Sequence, residues 1–223
     1  MKRFLVILFL AFPAFAAQPY HLELSASPAG VFPYFGKFGD VDLHVYAGGV
    51  RADALWLAAF SRNGATNVTV KNPLARMYVE MPLSDIAPTL TKLAGAAGAI
   101  ERAATPVATP PQPGKISGLN GTRYRLVYGP TAWIDVWTTN AIPENPQLRA
   151  IVEQLVAGIS PRTAPFVKKM TGTPVAVTLN FRRFKSVELL KIKKLTFAKD
   201  DEDDALELGS LYMRAPIFEK LWQ

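Results

Sequence analysis

Short runs of alternating hydrophobic and polar residues fill the N-terminal half of the chain. Leu22 and Leu24 alternate with polar neighbours in residues 20–27, and residues 40–46 repeat the pattern. A period of two is typical of strands with one buried and one solvated face. The turn signal Asn63-Gly64 separates two such runs, so the pattern predicts an antiparallel meander. Further strands are predicted at residues 50–60, 67–71 and 76–80.

The middle of the chain changes to a helical period. Apolar residues recur at helical spacing in residues 88–104, which predicts a helix that opens on a first-turn proline. Asn145-Pro146 supplies a cap and a first-turn proline for a second helix, whose apolar face continues to Ile159. A shorter helix is predicted at residues 161–170. Residues 105–114 contain four prolines and are predicted to be an extended surface linker within one sheet.

The second half returns to the strand period, because Val175, Val177, Leu179 and Phe181 alternate with other residues. The sequence therefore predicts an α+β fold in a single domain, residues 17–223, with about nine antiparallel strands and two or three inserted helices. The strands of this half are predicted at residues 122–128, 133–139, 175–181, 187–197 and 206–213, with a final turn of helix at 216–222.

The first 16 residues have the pattern of a secretory signal peptide. Lys2 and Arg3 precede an apolar run, and Ala14 and Ala16 stand where signal peptidase requires small residues. The run is too short, and too interrupted by Pro13, to span a membrane, and no later segment reaches that length. A bacterial lipid anchor needs a cysteine after the cleavage site, and the chain has no Cys. We therefore expect a soluble periplasmic or secreted protein without a transmembrane span.

The composition argues against several kinds of chemistry. The chain has no Cys and two His among 223 residues, so few residues could act as zinc ligands and a Cys–His catalytic pair cannot form. Asp40, Asp42 and His44 share one strand face, and the alternation explains them as its solvated side. The acidic residues 200–204 lack the glycine and spacing of a calcium loop, so a solvated turn is expected. We expect no catalytic site, metal or cofactor, and no nucleic-acid partner for an exported chain of net charge +7.

Three short motifs, together with the order of the elements, carry a resemblance to a known fold. They are Tyr46-Ala47-Gly48-Gly49-Val50-Arg51, Val136-Trp137-Thr138 and Gly172-Thr173-Pro174-Val175. The chain resembles the half-open barrel of lipoprotein carriers such as LolA and LolB, and a related family of exported bacterial proteins known only as a domain of unknown function. The resemblance implies an unclosed antiparallel β-barrel with its helices on the concave side. That side would be an apolar hollow suited to acyl chains.

Aromatic residues in the hairpin predicted at residues 122–139 are the first candidate site. Two tryptophans share a face of one strand, and two tyrosines share a face of the other. Such residues either fill a core or, in an unclosed barrel, form a ligand wall facing the two long helices. The candidate ligand-binding residues are Trp133, Trp137, Tyr124, Tyr128, Leu93 and Leu155.

A dense basic cluster near the C-terminus is the second candidate. Its members are Arg182, Arg183, Lys185, Lys191, Lys193 and Lys194. The cluster either meets an anionic membrane surface or an acidic envelope protein, or forms a solubilising outer face whose lysines block edge-to-edge aggregation. Arg51, which opens a strand after two glycines, is either a latch to backbone carbonyls near a cavity mouth or a surface arginine.

Two functional hypotheses follow from these candidates. The first is an exported carrier that buries a lipid, an acyl chain or another apolar molecule in an open-barrel cavity without covalent chemistry. The second is an envelope protein-interaction module with a filled core, which docks through its basic strand, residues 182–194. An enzyme ranks third, because no nucleophile and base can be assembled from local motifs.

Overall fold

The computed structural model describes residues 18–26, 39–93, 105–198 and 203–215, and within them 13 strands form one open sheet. Across the sheet the strands lie in the order β13, β6, β5, β4, β3, β2, β1, β12, β11, β10 and β9, and both β7 and β8 pair with β9. The expected open antiparallel sheet with few helices is confirmed, and the count of nine strands is wrong. The strands are β1 Tyr20–Ala26, β2 Gly39–Val45, β3 Gly49–Ala54, β4 Leu57–Arg62, β5 Asn67–Asn72, β6 Met77–Pro82, β7 Val107–Ala108, β8 Gln112–Ile116, β9 Leu119–Tyr128, β10 Ala132–Thr139, β11 Thr173–Phe181, β12 Val187–Phe197 and β13 Met213–Arg214.

Three of the extra strands arise where the sequence pattern does not show a turn or a strand pairing. The single strand expected at residues 50–60 is the hairpin β3–β4, closed by the two-residue turn Leu55–Trp56. The linker expected at residues 105–114 contains β7 and the start of β8, which both pair with β9. Prolines are tolerated there because these strands lie at the edge of the sheet, where one side of the backbone needs no donor.

The C-terminal strand expected at residues 206–213 is also corrected. Asp203–Leu206 is a 3₁₀ turn, and only β13 beyond it is a strand. β13 pairs with β6 in the parallel direction, Met213 opposite Met77. In a segment that crosses the sheet before it pairs, apolar and polar residues do not alternate with a period of two. The two-residue strand β13 therefore has no signal in the sequence.

The helices are α1 Leu83–Leu93, α2 Pro146–Ile159 and α3 Ala164–Val167. The capping of α2 is confirmed, since Oδ1 of Asn145 accepts hydrogen bonds from the backbone N–H groups of Gln147 and Leu148. α1 begins five residues before the expected start, so that Pro88 lies inside it. The short helix is four residues long and not ten. Residues 1–16, 94–104, 200–202 and 216–222, on which four expectations fall, lie outside the described residues.

The core lies between α2 and one face of the sheet. Tyr20, Leu22 and Leu24 of β1 stand opposite the apolar residues of β2 on this face, which we call the inner face. α2 packs Leu148 and Ile151 against the same cluster. The opposite, outer face carries the polar residues of both strands, as the alternation predicts.

α1 reaches the sheet largely by packing on α2. A Cβ built on Gly158 of α2 would come within 2.6 Å of Cβ of Leu90 and 2.8 Å of the carbonyl oxygen of Ala87. The two helix backbones therefore approach closely only because this position is glycine. Gln147 fixes the other end of α2, where its Nε2 donates to Oγ of Ser61 at 2.8 Å.

Candidate functional site

The register of the β9–β10 hairpin separates the four aromatic candidates. Tyr124 stands opposite Val136 and Tyr128 opposite Ala132, whereas Trp133 and Trp137 occupy the alternate positions of β10. Residues directly opposite each other share a face, so the tyrosines and tryptophans lie on opposite faces of the sheet. The structure does not bring the four side chains together as one surface.

The tyrosines lie on the inner face, under α3. The Tyr128 hydroxyl is hydrogen-bonded to Oγ1 of Thr163, and the Tyr124 hydroxyl lies 3.1 Å from Oγ1 of Thr171. Tyr128 belongs to a buried cluster with Val167 and Met170, and Tyr124 packs against it. Both rings therefore contribute to the second core cluster.

The tryptophans occupy the other face of β10 beside two arginines, and Trp137 also packs against the core cluster of β1 and β2. The guanidinium of Arg125 lies 5.3 Å from the ring centre of Trp133, and that of Arg123 lies 5.9 Å from Trp137. Arg125 also donates two hydrogen bonds to Asp135, at 2.7 and 2.9 Å, and this pairing raises the pKa of Arg125 above its usual value. These distances are typical of cation–π contacts.

The two leucines proposed with them do not complete a site. Leu155 of α2 is exposed. The side chain of Leu93, at the end of α1, lies outside the part of the chain that the structure describes.

An apolar pocket of about 370 Å³ lies elsewhere, at the β4–β6 side of the sheet. Its described lining comes from strands and turns, with Trp56 and Ala75 at the turns and Asn72 as its one amide side chain. Asn72 accepts backbone N–H bonds from Leu74 and Ala75 through Oδ1, so its oxygen is already used. The apolar strand residues of the lining are Leu57, Val70, Met77, Val79 and Met81, all half-buried, with the buried Ala215 beyond β13.

The pocket is a continuation of the inner face. Leu57 stands opposite Ala54, which stands opposite Val41, and Val41 stands opposite the core residue Leu24. On the far side, Val70 stands opposite Val79. The inner face, which forms the core under α2, therefore continues to β6. At β4–β6 this face lines the pocket.

The chemistry of this pocket is limited to burial of an apolar molecule. Its lining contains no carboxylate, amine, imidazole or hydroxyl group other than the phenol of Tyr78. Two methionines supply flexible, polarisable side chains that adapt to irregular shapes.

Sequence reasoning did not single out any of these pocket residues. Met77, Val79 and Met81 alternate with the residues between them in the same way as in the other strands of the sheet. A strand pattern shows which residues point to one face, and it contains no information on what covers that face. The available signal was weak: β6 is the last strand before α1 and carries two methionines.

The outer face carries a polar network around Arg51. Arg51 donates two hydrogen bonds of 2.8 Å to Asp53 and a third, of 3.2 Å, to the carbonyl oxygen of Ala205. The pairing with Asp53 raises the pKa of Arg51 above its usual value. Arg51 therefore holds the 3₁₀ turn of the C-terminal segment against β3, as a latch to a backbone carbonyl on the face opposite the pocket.

Two histidines stack beside this latch. The rings of His21 and His44 lie 4.2 Å apart, and Nε2 of His21 lies 3.1 Å from Oδ1 of Asp42. Burial, and then the neighbouring His21, lower the pKa of His44. In the described ranges, no three His, Asp or Glu side chains are grouped so that they could hold a metal ion.

The basic cluster divides into two parts. Lys191, Lys193 and Lys194 of β12 form ion pairs with Glu188, Asp40 and Glu23. The other three cations, Arg182, Arg183 and Lys185, lie exposed in the β11–β12 turn with no carboxylate partner in the described part of the chain.

None of the described helices has the length and apolar character needed to cross a membrane.

Several solved structures are similar to this chain, and two of them are a PNGF-II structure and a conserved protein of Thermus thermophilus. No family model matches the chain, and no curated protein matches it. A structure of PNGF-II in space group P21 is 13% identical, with a TM-score of 0.44, over 92% of this chain and 33% of that one. An uncharacterized conserved protein from Thermus thermophilus is 9% identical, also with a TM-score of 0.44, over 89% of this chain and 91% of that one. The chain thus spans a third of the first structure's length, and similarities at this level do not assign a function to the pocket.

Proposed function

We propose that this chain binds an apolar small molecule of the lipid or acyl-chain class in the β4–β6 pocket and carries it without covalent chemistry. The observation behind this proposal is the pocket itself, about 370 Å³ and lined almost entirely by apolar groups on the inner face. Ligand pockets are typically about 300 to 1,000 Å³ and mostly apolar.

The driving force is removal of ligand surface from water. Each methylene that moves from water into an apolar site contributes about 0.8 kcal/mol, which is roughly fourfold in affinity. Since the pocket offers few polar partners, affinity depends on the length of the apolar chain more than on its head group.

The remaining parts of the proposal concern location and family. The Lys2-Arg3 start, the apolar run and Ala14 and Ala16 support export to the periplasm or beyond. An open sheet with helices on one face is compatible with the half-open barrel carriers that the sequence resembles.

Native mass spectrometry of protein purified from its own cell envelope tests this proposal. We expect excess mass that denaturation releases as acyl species. Val79→Trp, which fills the pocket, is expected to abolish that mass, and Val127→Trp, on the outer face of β9, is expected to retain it. Circular dichroism and urea unfolding of both variants show whether each one folds.

Two results would contradict the proposal. The first is a clean mass that does not shift when fatty acids or phospholipids are added. The second is excess mass that survives Val79→Trp but is lost on Trp133→Ala, which would place the ligand at the outer-face tryptophans. A clean mass favours the alternative, an envelope interaction module that docks through residues 182–194.

A further inference from the structure

Four described turns lie at one end of the sheet, and three of them expose large apolar side chains. β1 runs from Tyr20, opposite Phe197 at the end of β12, to Ala26, opposite Leu190 near the start of β12. On the other side of β1, the strand pairs through β2 bring Ala54, the last residue of β3, to this same end. The turns of β3–β4, β5–β6, β9–β10 and β11–β12 therefore lie along one edge. We call three of them the turn rim: residues 55–56, 73–76 and 182–186.

The turn rim exposes four large apolar side chains. Leu55 is 69% exposed, Trp56 53%, Leu74 83% and Phe184 77%. The turns described at the opposite end of the sheet, residues 46–48, 63–66 and 117–118, contain no exposed large hydrophobic residue. Four of the nine exposed large hydrophobic residues in the described part of the chain thus lie on the turn rim. Exposed apolar groups that occur together in this way are typical of an interaction surface.

The backbone at Leu55 is strained to hold this arrangement. Leu55 has a φ of 54° at the first position of a two-residue hairpin turn. This left-handed conformation is favourable for glycine and unfavourable for a residue with a branched side chain. A glycine at this position would relieve the strain, but it would remove the exposed leucine side chain. The strained backbone therefore goes together with a large apolar side chain at the tip of the turn.

The charge of the turn rim is entirely positive. Its three turns contain Arg76, Arg182, Arg183 and Lys185 and no Asp or Glu. None of these four cations has a carboxylate partner within the described residues, whereas the lysines of β12 are paired. A partner that binds these cations and the four apolar side chains together combines negative charge with an apolar environment.

We infer that the turn rim docks on an anionic lipid bilayer. Arg and Lys side chains are attracted to anionic headgroups, and Trp, Phe and Leu at the tips enter the headgroup and acyl boundary. The rim spans β6 to β11, which is about 34 Å along the sheet at the usual spacing of neighbouring strands and provides a broad contact. Trp56 and Ala75 also line the pocket, so the pocket adjoins the turn rim.

Vesicle flotation tests this inference with the full mature chain. Phosphatidylcholine vesicles with and without phosphatidylglycerol are compared for the wild type and two variants of equal charge loss. The rim variant replaces Arg182, Arg183 and Lys185 with Ser, and the matched control replaces Lys191, Lys193 and Lys194 with Ser. We expect the rim variant to bind anionic vesicles on the order of 100-fold more weakly, at roughly fivefold per cation. The control is expected to change little, because its lysines are paired on the outer face.

Insertion of the tips gives a second readout. We expect Trp56 fluorescence, taken as the difference between the wild type and Trp56→Phe, to shift to the blue on anionic vesicles. Equal loss of binding in both triple variants would overturn the inference, since it would indicate net charge alone. Absence of vesicle binding by the wild type would also overturn it. The same holds if the rim captures an envelope protein while the wild type and the rim variant bind vesicles equally. Val79→Trp is expected to bind vesicles normally, so failure of the pocket proposal is distinguishable from failure of this one.

Discussion

Arg149 connects α2 to the segment that follows it, and its removal is expected to be strongly destabilising. Its Nη2 lies 2.9 Å from the carbonyl oxygen of Val167, 3.2 Å from that of Lys168 and 2.8 Å from that of Met170. The same side chain pairs with Glu144 at 2.8 Å and Glu153 at 3.0 Å. Arg149 is 19% exposed, so these groups are largely shielded from water.

The expected cost of Arg149→Met follows from the hydrogen bonds. Nη2 has two hydrogens for three acceptors, which gives about two full bonds from a charged donor at roughly 1.5 to 3 kcal/mol each. The carboxylates are only partly buried and regain water when the guanidinium is lost, so their contribution is small. We therefore expect Arg149→Met to lower the free energy of unfolding by about 3 to 6 kcal/mol.

Urea unfolding at pH 7, followed by far-ultraviolet circular dichroism, measures this change. Arg149→Lys is the control, because an ammonium keeps the charge without the planar fork, and we expect it to lose about 2 kcal/mol. A loss below about 1 kcal/mol for Arg149→Met would refute the reasoning. Because none of these residues lines the β4–β6 pocket, fatty-acid affinity should be unchanged in the folded variant.

Three further changes test other parts of the structure. Gly158→Ala is expected to lower the free energy of unfolding by about 1 to 2 kcal/mol, because the new Cβ would lie 2.6 Å from Cβ of Leu90. A urea midpoint at or above that of the wild type would contradict the close contact between the two helices. Burial lowers the pKa of His44, so its stabilising effect is complete above the unfolded pKa of about 6.5 and is lost as pH falls below it. Urea midpoints between pH 7.5 and about 5 should therefore fall more in the wild type than in His44→Gln. Burial also raises the pKa of Tyr20 to about 12, so its contribution is present below pH 10 and lost as pH rises towards 12; Tyr20→Phe, which removes the bond to the carbonyl of Pro143, should flatten that alkaline loss.

Local sequence patterns predicted the elements whose signals are themselves local. β12 is predicted at residues 187–197 and is found there. Its apolar residues change face at Leu189 and at Lys193, where the pairing with β11 and with β1 shifts by one residue. α2 begins where Asn145 and Pro146 indicate, since a cap and a first-turn proline act within one helical turn. The turn at Leu55–Trp56 was missed because it lacks the glycine or asparagine that usually marks a two-residue hairpin.

The aromatic candidates show why register could not be predicted. Alternation assigned Trp133 and Trp137 to one face of their strand, and Tyr124 and Tyr128 to one face of theirs, correctly. Whether these two faces coincide depends on the number of residues in the turn, and a shift of one residue reverses every side chain. The structure has three residues in that turn, 129–131, which places the rings on opposite faces.

The pocket required information that the sequence pattern does not contain. Its lining follows from the pairings that carry the inner face from β1 to β6, and from the pairing of β13 with β6, which brings Ala215 to the pocket. Both depend on contacts between residues distant in the chain. The basic cluster likewise divided in a way that only cross-strand partners determine, such as Asp40 for Lys193.

Calorimetric titration with straight-chain fatty acids of increasing length tests the central claim most directly. The pocket predicts that affinity rises roughly fourfold per added methylene until its volume is filled, and then levels off. Val79→Trp should remove this dependence and Val127→Trp should preserve it. Affinity that does not depend on chain length, or that is equal in the wild type and folded Val79→Trp, would contradict the assignment of the β4–β6 pocket as the binding site.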